Sequence, residues 1–233
     1  MAGLTAVLNR AGLPAVVVVA IVAAGCGSTE TVTVTTTVTR TVTTTAAKKT
    51  VRAYFMRDGK VGPVARALEQ VDRASLLAAV AAGPNDAERA IGFTQGEATE
   101  RTAEDVYTLS QFDPKKPVEV AGKSYTRADF EDLTPAILVE SPLPFAAVSS
   151  PLRVWGTANT FEATFEYELL DAAGKALARH FVTATSGSGT RGTYDVTIRF
   201  ASPAGPGKLV VYELSAADGS RIHQVEIPLT LAP

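Results

Sequence analysis

From Phe161 to Leu231 apolar and polar residues alternate with a period of two, and that alternation leaves few folds open. In "FEATFEYEL", Phe161, Ala163, Phe165, Tyr167 and Leu169 fall on one face, with Glu162, Thr164, Glu166 and Glu168 on the other. Successive side chains of a strand point to opposite sides, so this is the pattern of a half-buried strand. "DAAGK" then turns the chain into "ALARHFVTAT", and "TYDVTIRF" puts Tyr194, Val196, Ile198 and Phe200 on one side. "KLVVYELSA", the turn "ADGS" and "RIHQVEIPLTL" complete the series. Short alternating strands separated by Gly and Asp-Gly turns predict an all-β sandwich over residues 136–233.

The stretch from Val51 to Asp132 is mixed. "VRAYF" has strand character and "RDGK" is a turn; Asp72 is placed to cap a helix whose Leu76, Leu77 and Val80 share a face. Gly83 and Pro84 stop that helix. Asn85 with Glu88 forms a capping-box start for a second helix, Thr102 with Asp105 a third, and "PVEVAGKSY" follows as a strand. The expectation is a small α/β domain over residues 51–132.

The chain has a single cysteine, and it lies near the N-terminus. Arg10 is followed by an uncharged apolar run, Ala11 to Ala24, too short to span a bilayer comfortably and of the length of a signal-peptide core. Ala23, Ala24 and Gly25 lead directly into Cys26, and the segment resembles a bacterial lipobox, with Ala23 where Leu or Val is more usual. The resemblance implies a signal peptide over residues 1–25, acylation of Cys26, and anchoring in the lipid bilayer on the extracytoplasmic face of the cell membrane. It also leaves the exported part without a thiol for a disulfide or a cysteine metal site. Residues 26–50 then form a tether. Between Thr31 and Thr45 ten residues are Thr, four are Val and one is Arg40, a composition that cannot bury a core. At roughly 3.3 Å per residue the tether reaches up to about 75 Å.

Two further resemblances cover the rest. "VRAYFMRDGKVGPVARAL", "LLAAVAAGPNDAERAIGF" and "VYTLSQF" resemble the GerMN domain of bacterial sporulation and spore-germination proteins and of actinobacterial lipoproteins. The match breaks after Phe93: the family's middle strands are absent, and "TQGEATERTAED" runs straight into the last helix. This implies a truncated domain in which the helix face of Leu76, Leu77 and Val80 needs cover from the sandwich or from a partner. "VESPLPFAAVSSPLRVWGTANTFEATFEYELLDAAGKAL", with "YELSAADGSRIHQVEIPL", resembles the Gmad-type immunoglobulin-like domain of spore-germination proteins. The fold class expected is therefore mainly β, an immunoglobulin-like β-sandwich preceded by a small truncated α/β domain. The family carries no assigned catalytic residues, so none is transferred.

The chemistry-bearing motifs are few. "GSGTRG", Gly187 to Gly192, matches a dinucleotide fingerprint, but a period-two strand follows where a helix N-terminus is needed, so it reads as a loop between strands. His180 and His223 both sit on predicted strands and read as surface or satisfied residues. Glu162, Glu166 and Glu168 share one strand face, whereas glycoside hydrolysis needs carboxylates facing across a cleft. No catalytic residue, metal site or cofactor is expected. A formal net charge of −2 without a basic patch speaks against nucleic acid. In "SSPLRVWG", alternation sends Arg153 and Trp155 to the side away from Leu152 and Val154; if that strand neighbours the glutamate strand, Arg153 pairs with Glu162, Glu166 or Glu168 and Trp155 stands beside them as a partner contact. Trp155 covering a core edge or packing on the first domain is the plainer expectation. The function expected is a membrane-anchored, noncatalytic binding or assembly module meeting envelope proteins or cell-wall polymer. The alternative is an envelope enzyme or carbohydrate-binding protein acting on cell-wall glycan.

Overall fold

The alternating segments become strands. The computed structural model describes residues 18–19, 34–35, 47–201 and 204–232. Val18–Val19 pairs antiparallel with Val34–Thr35; Cys26 and the remainder of residues 1–46 lie outside the described residues, and Lys49 and Thr50 at the end of the expected tether belong to a strand. No helix among the described residues is long and apolar enough to cross a membrane.

The unit that begins at Ala47 opens with a hairpin, β1 (Lys49–Arg57) and β2 (Lys60–Leu68), turning at Asp58-Gly59 with both φ values positive. Helix α1 (Arg73–Ala81) starts where Asp72 accepts the Ser75 amide at 2.8 Å. The short α2 (Asp86–Ala90) carries the expected capping box of Asn85 and Glu88. The two-residue β3 (Phe93–Thr94) adds to the end of β1.

Helix α3 (Thr99–Leu109) begins three residues before Thr102, which lies inside it. "PVEVAGKSY" is a tight hairpin, β4 (Val118–Val120) and β5 (Lys123–Tyr125), because Ala121 and Gly122 both take positive φ. A 3-10 segment, Arg127–Leu133, leads to the sandwich.

The sandwich holds β6 (Ile137–Ser141), β7 (Ala147–Val148), β8 (Leu152–Ala158), β9 (Thr164–Asp171), β10 (Ala176–Thr183), β11 (Gly192–Ile198), β12 (Gly205–Leu214) and β13 (Arg221–Leu231). One sheet runs β11-β8-β6 and the other β10-β9-β12-β13-β7. Val139, Val154, Phe165, Leu169, Leu209 and Ile227 meet between them, and Phe165 packs edge-on against Tyr194 at 4.8 Å. The molecule is mainly β, as the alternation predicts. Residues 187–191 are loop, followed by β11, so "GSGTRG" precedes a strand.

Two expectations need correction. The glutamate strand starts at Thr164, because Glu162 and Ala163 adopt left-handed φ in a 3-10 turn; Phe161 is exposed and Glu162 is off the strand face. Nor does α1 look to the sandwich for cover. Val80 packs on Ala53, Phe55, Val64 and Phe93 of its own sheet.

Candidate functional site

The sequence places a polar run of α3 beside the bare edge of β1. Beyond the short β3 pairing, β1 has no strand neighbour on that side among the described residues, so its amides need other acceptors. Side chains of α3 and of the turn after it supply them: Glu104 Oε1 accepts from Met56 N–H at 3.2 Å, Thr108 Oγ1 from Tyr54 at 3.0 Å, and Gln111 Oε1, past the helix end, from Arg52 at 2.8 Å. Gln111 Nε2 donates back to the Arg52 carbonyl at 2.9 Å. Glu104 and Thr108 are one turn apart, an advance of about 6 Å that approaches the ~6.8 Å between alternate strand amides, so one helix serves two of them and Gln111 beyond its end serves the third. Burial pushes the Glu104 carboxyl up to about 7, against the lowering effect of the Gly96 and Met56 amides that donate to it.

The other face of β1 and α3 meets the sandwich through β6. Ile137 and Val139 point into the sandwich core, while Leu138 joins Tyr54, Met56, Val61, Val106, Tyr107 and Phe130. β6 is thus buried on both faces. Gly156 allows this, since a Cβ there would stand 2.0 Å from the Leu138 carbonyl and 2.9 Å from the Tyr194 hydroxyl. Beside Leu138, the buried Glu140 carboxylate is bonded by Arg127, with Arg52 Nε 3.7 Å from its second oxygen. Arg127 also donates to Ser110 Oγ at 2.8 Å and the Tyr107 carbonyl at 3.1 Å, and its guanidinium lies 4.5 Å from the Tyr107 ring centre. A buried cation needs such a full set of partners. Further along the seam Glu131 accepts Arg191 and Asn159, each at 2.9 Å.

A cavity of about 360 Å³ opens along this seam, lined by Val61, Pro63, Phe93, Ile137 and Val225, with Arg57, Lys60 and His223 at its rim. Arg57 Nη1 donates to the Glu226 carbonyl at 2.8 Å. His223 has a φ of 54° at the bulge where the β12–β13 register shifts, and its Nδ1 lies 2.8 Å from Glu213 Oε2. Glu213 is buried and its other oxygen accepts the Phe161 amide at 2.7 Å. No group of acidic, His or Cys side chains fit to hold a metal occurs among the described residues.

The residues singled out from sequence are dispersed. β8 pairs with β11 and β6, not with β9. Arg153 therefore bonds Asp195, with Nε to Oδ1 at 2.9 Å, and not a glutamate. Leu152 and Val154 point into the core that Phe165 and Leu169 enter from the other sheet, so Arg153 and Glu166 lie on opposite outer faces. Trp155 is half-buried with the Arg52 guanidinium 4.8 Å from its ring centre, so it packs on the α/β part. Glu166 and Glu168 form an ion cluster with Arg179, Arg221 and the Tyr212 hydroxyl, and Glu168 is buried beneath it rather than solvated. Glu162 is exposed in its turn.

Sequence reasoning missed Glu140, Arg127 and the His223–Glu213 pair. The apolar "AILV" before Glu140 was the available signal, since a strand buried on both faces loses its alternation.

A two-sheet sandwich sharing one strand with an α/β part is the class of protein that these contacts define. Residues 136–220 match the immunoglobulin-like domain of bacterial spore germination, Gmad2. The matched stretch runs from just before β6 to the β12–β13 turn, and β13 completes the same sheet beyond it. That match links the C-terminal part of the chain to spore-germination proteins. No curated protein matches the chain.

Proposed function

We propose that this chain is a lipid-anchored, noncatalytic binding or assembly module of the cell envelope, in the sporulation and spore-germination setting of its immunoglobulin-like domain. The match over residues 136–220 carries the reading. The lipobox-like run into Cys26 supports anchoring on the extracytoplasmic face, and the Thr/Val segment serves as tether. Residues 51–132 are a shortened GerMN-like domain in which α3 serves the edge that the missing middle strands would occupy. Charged groups of the seam pair with one another, as Arg127 does with Glu140 and Arg191 with Glu131, which suits a rigid scaffold. Partners are envelope proteins or cell-wall polymer, with Arg153 and Trp155 on one outer face of the sandwich and Glu162 and Glu166 elsewhere as candidate contacts.

Two measurements test this. Cys26→Ala should abolish incorporation of labelled palmitate and leave unprocessed precursor; normal labelling contradicts the anchor. The Ala47–Pro233 unit, incubated with purified cell-wall glycan, should bind without releasing soluble fragments. Fragment release that His223→Ala abolishes would favour the second reading, an envelope enzyme or carbohydrate-binding protein, for which the strained His223 held by buried Glu213 beside the cavity is the specific observation.

A further inference from the structure

β10 pairs with β9 alone among the described strands, and its other edge is open over eight residues. Ala184 N–H donates to the Ala163 carbonyl at 2.8 Å, so Ala178, His180 and Val182 turn their backbone groups toward β9. Arg179, Phe181 and Thr183 turn theirs outward, and Leu177 is the extra residue where the β9–β10 register shifts. Among the described residues one of these groups has a partner: Phe181 N–H donates to His180 Nδ1 at 2.8 Å.

Proteins ordinarily blunt such edges with proline, lysine, a bulge or a covering segment. Elsewhere this chain does so. β2 carries Pro63, and on the free side of β13 Arg57 occupies the Glu226 carbonyl while Phe145 N–H occupies that of Pro228 at 2.7 Å. "ALARHFVT" has no Pro, Gly or Lys, its one bulge is confined to its start at Leu177, and Phe181 stands 60% exposed beyond it.

We propose that β10 pairs antiparallel with β10 of a second copy of this chain, about a two-fold axis through His180. Arg179 and Phe181 are centred on position 180, so this register pairs each with the other across the axis, while Thr183 meets the bulge at the partner's Leu177. Arg179 then lies opposite the partner's Phe181, a cation over an aromatic face, rather than opposite a like charge. Glu166 at 3.1 Å and Glu168 at 3.4 Å already counter Arg179 within the subunit, which lowers repulsion across the axis. On pairing, Phe181 N–H exchanges the His180 ring for a main-chain carbonyl.

The Ala47–Pro233 unit contains all three apolar cores and, with the only cysteine at position 26, no thiol. Sedimentation velocity on this unit should show a concentration-dependent dimer. F181K should be monomeric with an unchanged melting temperature, because Phe181 is exposed. The axis sets the two His180 Cα atoms about 4.5 Å apart, within disulfide reach, so H180C should form an intermolecular disulfide in air roughly tenfold faster, or more, than the exposed control D218C. A dimer that F181K leaves intact, or H180C crosslinking no faster than D218C, overturns the proposal.

Discussion

Glu104 holds one carboxylate oxygen against the Met56 and Gly96 amides, while the other meets no partner among the described residues. Burial raises its pKa from an ordinary 4.5 to about 7, so between those values the folded chain binds more proton than the unfolded one. The stability this gives is full below pH 4.5 and is lost as pH rises through about 7. Glu104→Gln keeps an amide acceptor and should flatten that part of the curve of unfolding free energy against pH. An unchanged slope in the mutant would show that Glu104 does not titrate there. Glu140 behaves differently, because it neutralises a cation. Glu140→Ala leaves Arg127 buried without its carboxylate and should cost about 3–5 kcal/mol in denaturant unfolding, most of it recovered in an Arg127→Leu, Glu140→Leu double mutant. A loss below ~1 kcal/mol would place the pair among the weak surface bridges. Neither role was legible, since a partner is fixed by where strands sit and nothing in the local spacing reports it.

Helix α3 substitutes for a strand along the edge of β1, and Thr108 tests that directly. Thr108→Val removes the acceptor of a buried Tyr54 N–H and should cost about 1–3 kcal/mol, with the urea midpoint falling at constant slope and the Tyr54 amide exchanging faster. Thr108→Ser should restore most of both. Equal protection of Tyr54 in wild type and the Val mutant would contradict the substitution. Elements were legible where local chemistry marks them: Asp72 and the Asn85–Glu88 box give the starts of α1 and α2, and alternation gives β9 to β13. The start of α3 was not, because Ala98, which precedes it, offers no capping side chain. The turn before β9 was hidden because its left-handed Glu162 and Ala163 sit inside an unbroken alternation.

At the scale of the whole molecule, the α/β part packs on the sandwich through β6. α1 is covered by its own sheet, while Tyr54, Met56 and Tyr107 close on Leu138, so it is this second face whose cover the sandwich supplies. The outer face of the sandwich at β6 carries Leu138 and Glu140, both buried by the α/β part, and a free-standing sandwich would expose them. Residues 136–233 should still melt cooperatively alone, because the core between the sheets is theirs, but at a lower temperature than the Ala47–Pro233 unit. The most direct measurement is the amide NMR spectrum of residues 47–134 in isolation, compared with the same residues within Ala47–Pro233. Dependence on β6 predicts collapsed, poorly dispersed amides for the fragment and dispersed ones in the whole unit. A fragment spectrum that is dispersed and superimposes on the larger one, Tyr54 and Phe130 included, would contradict it.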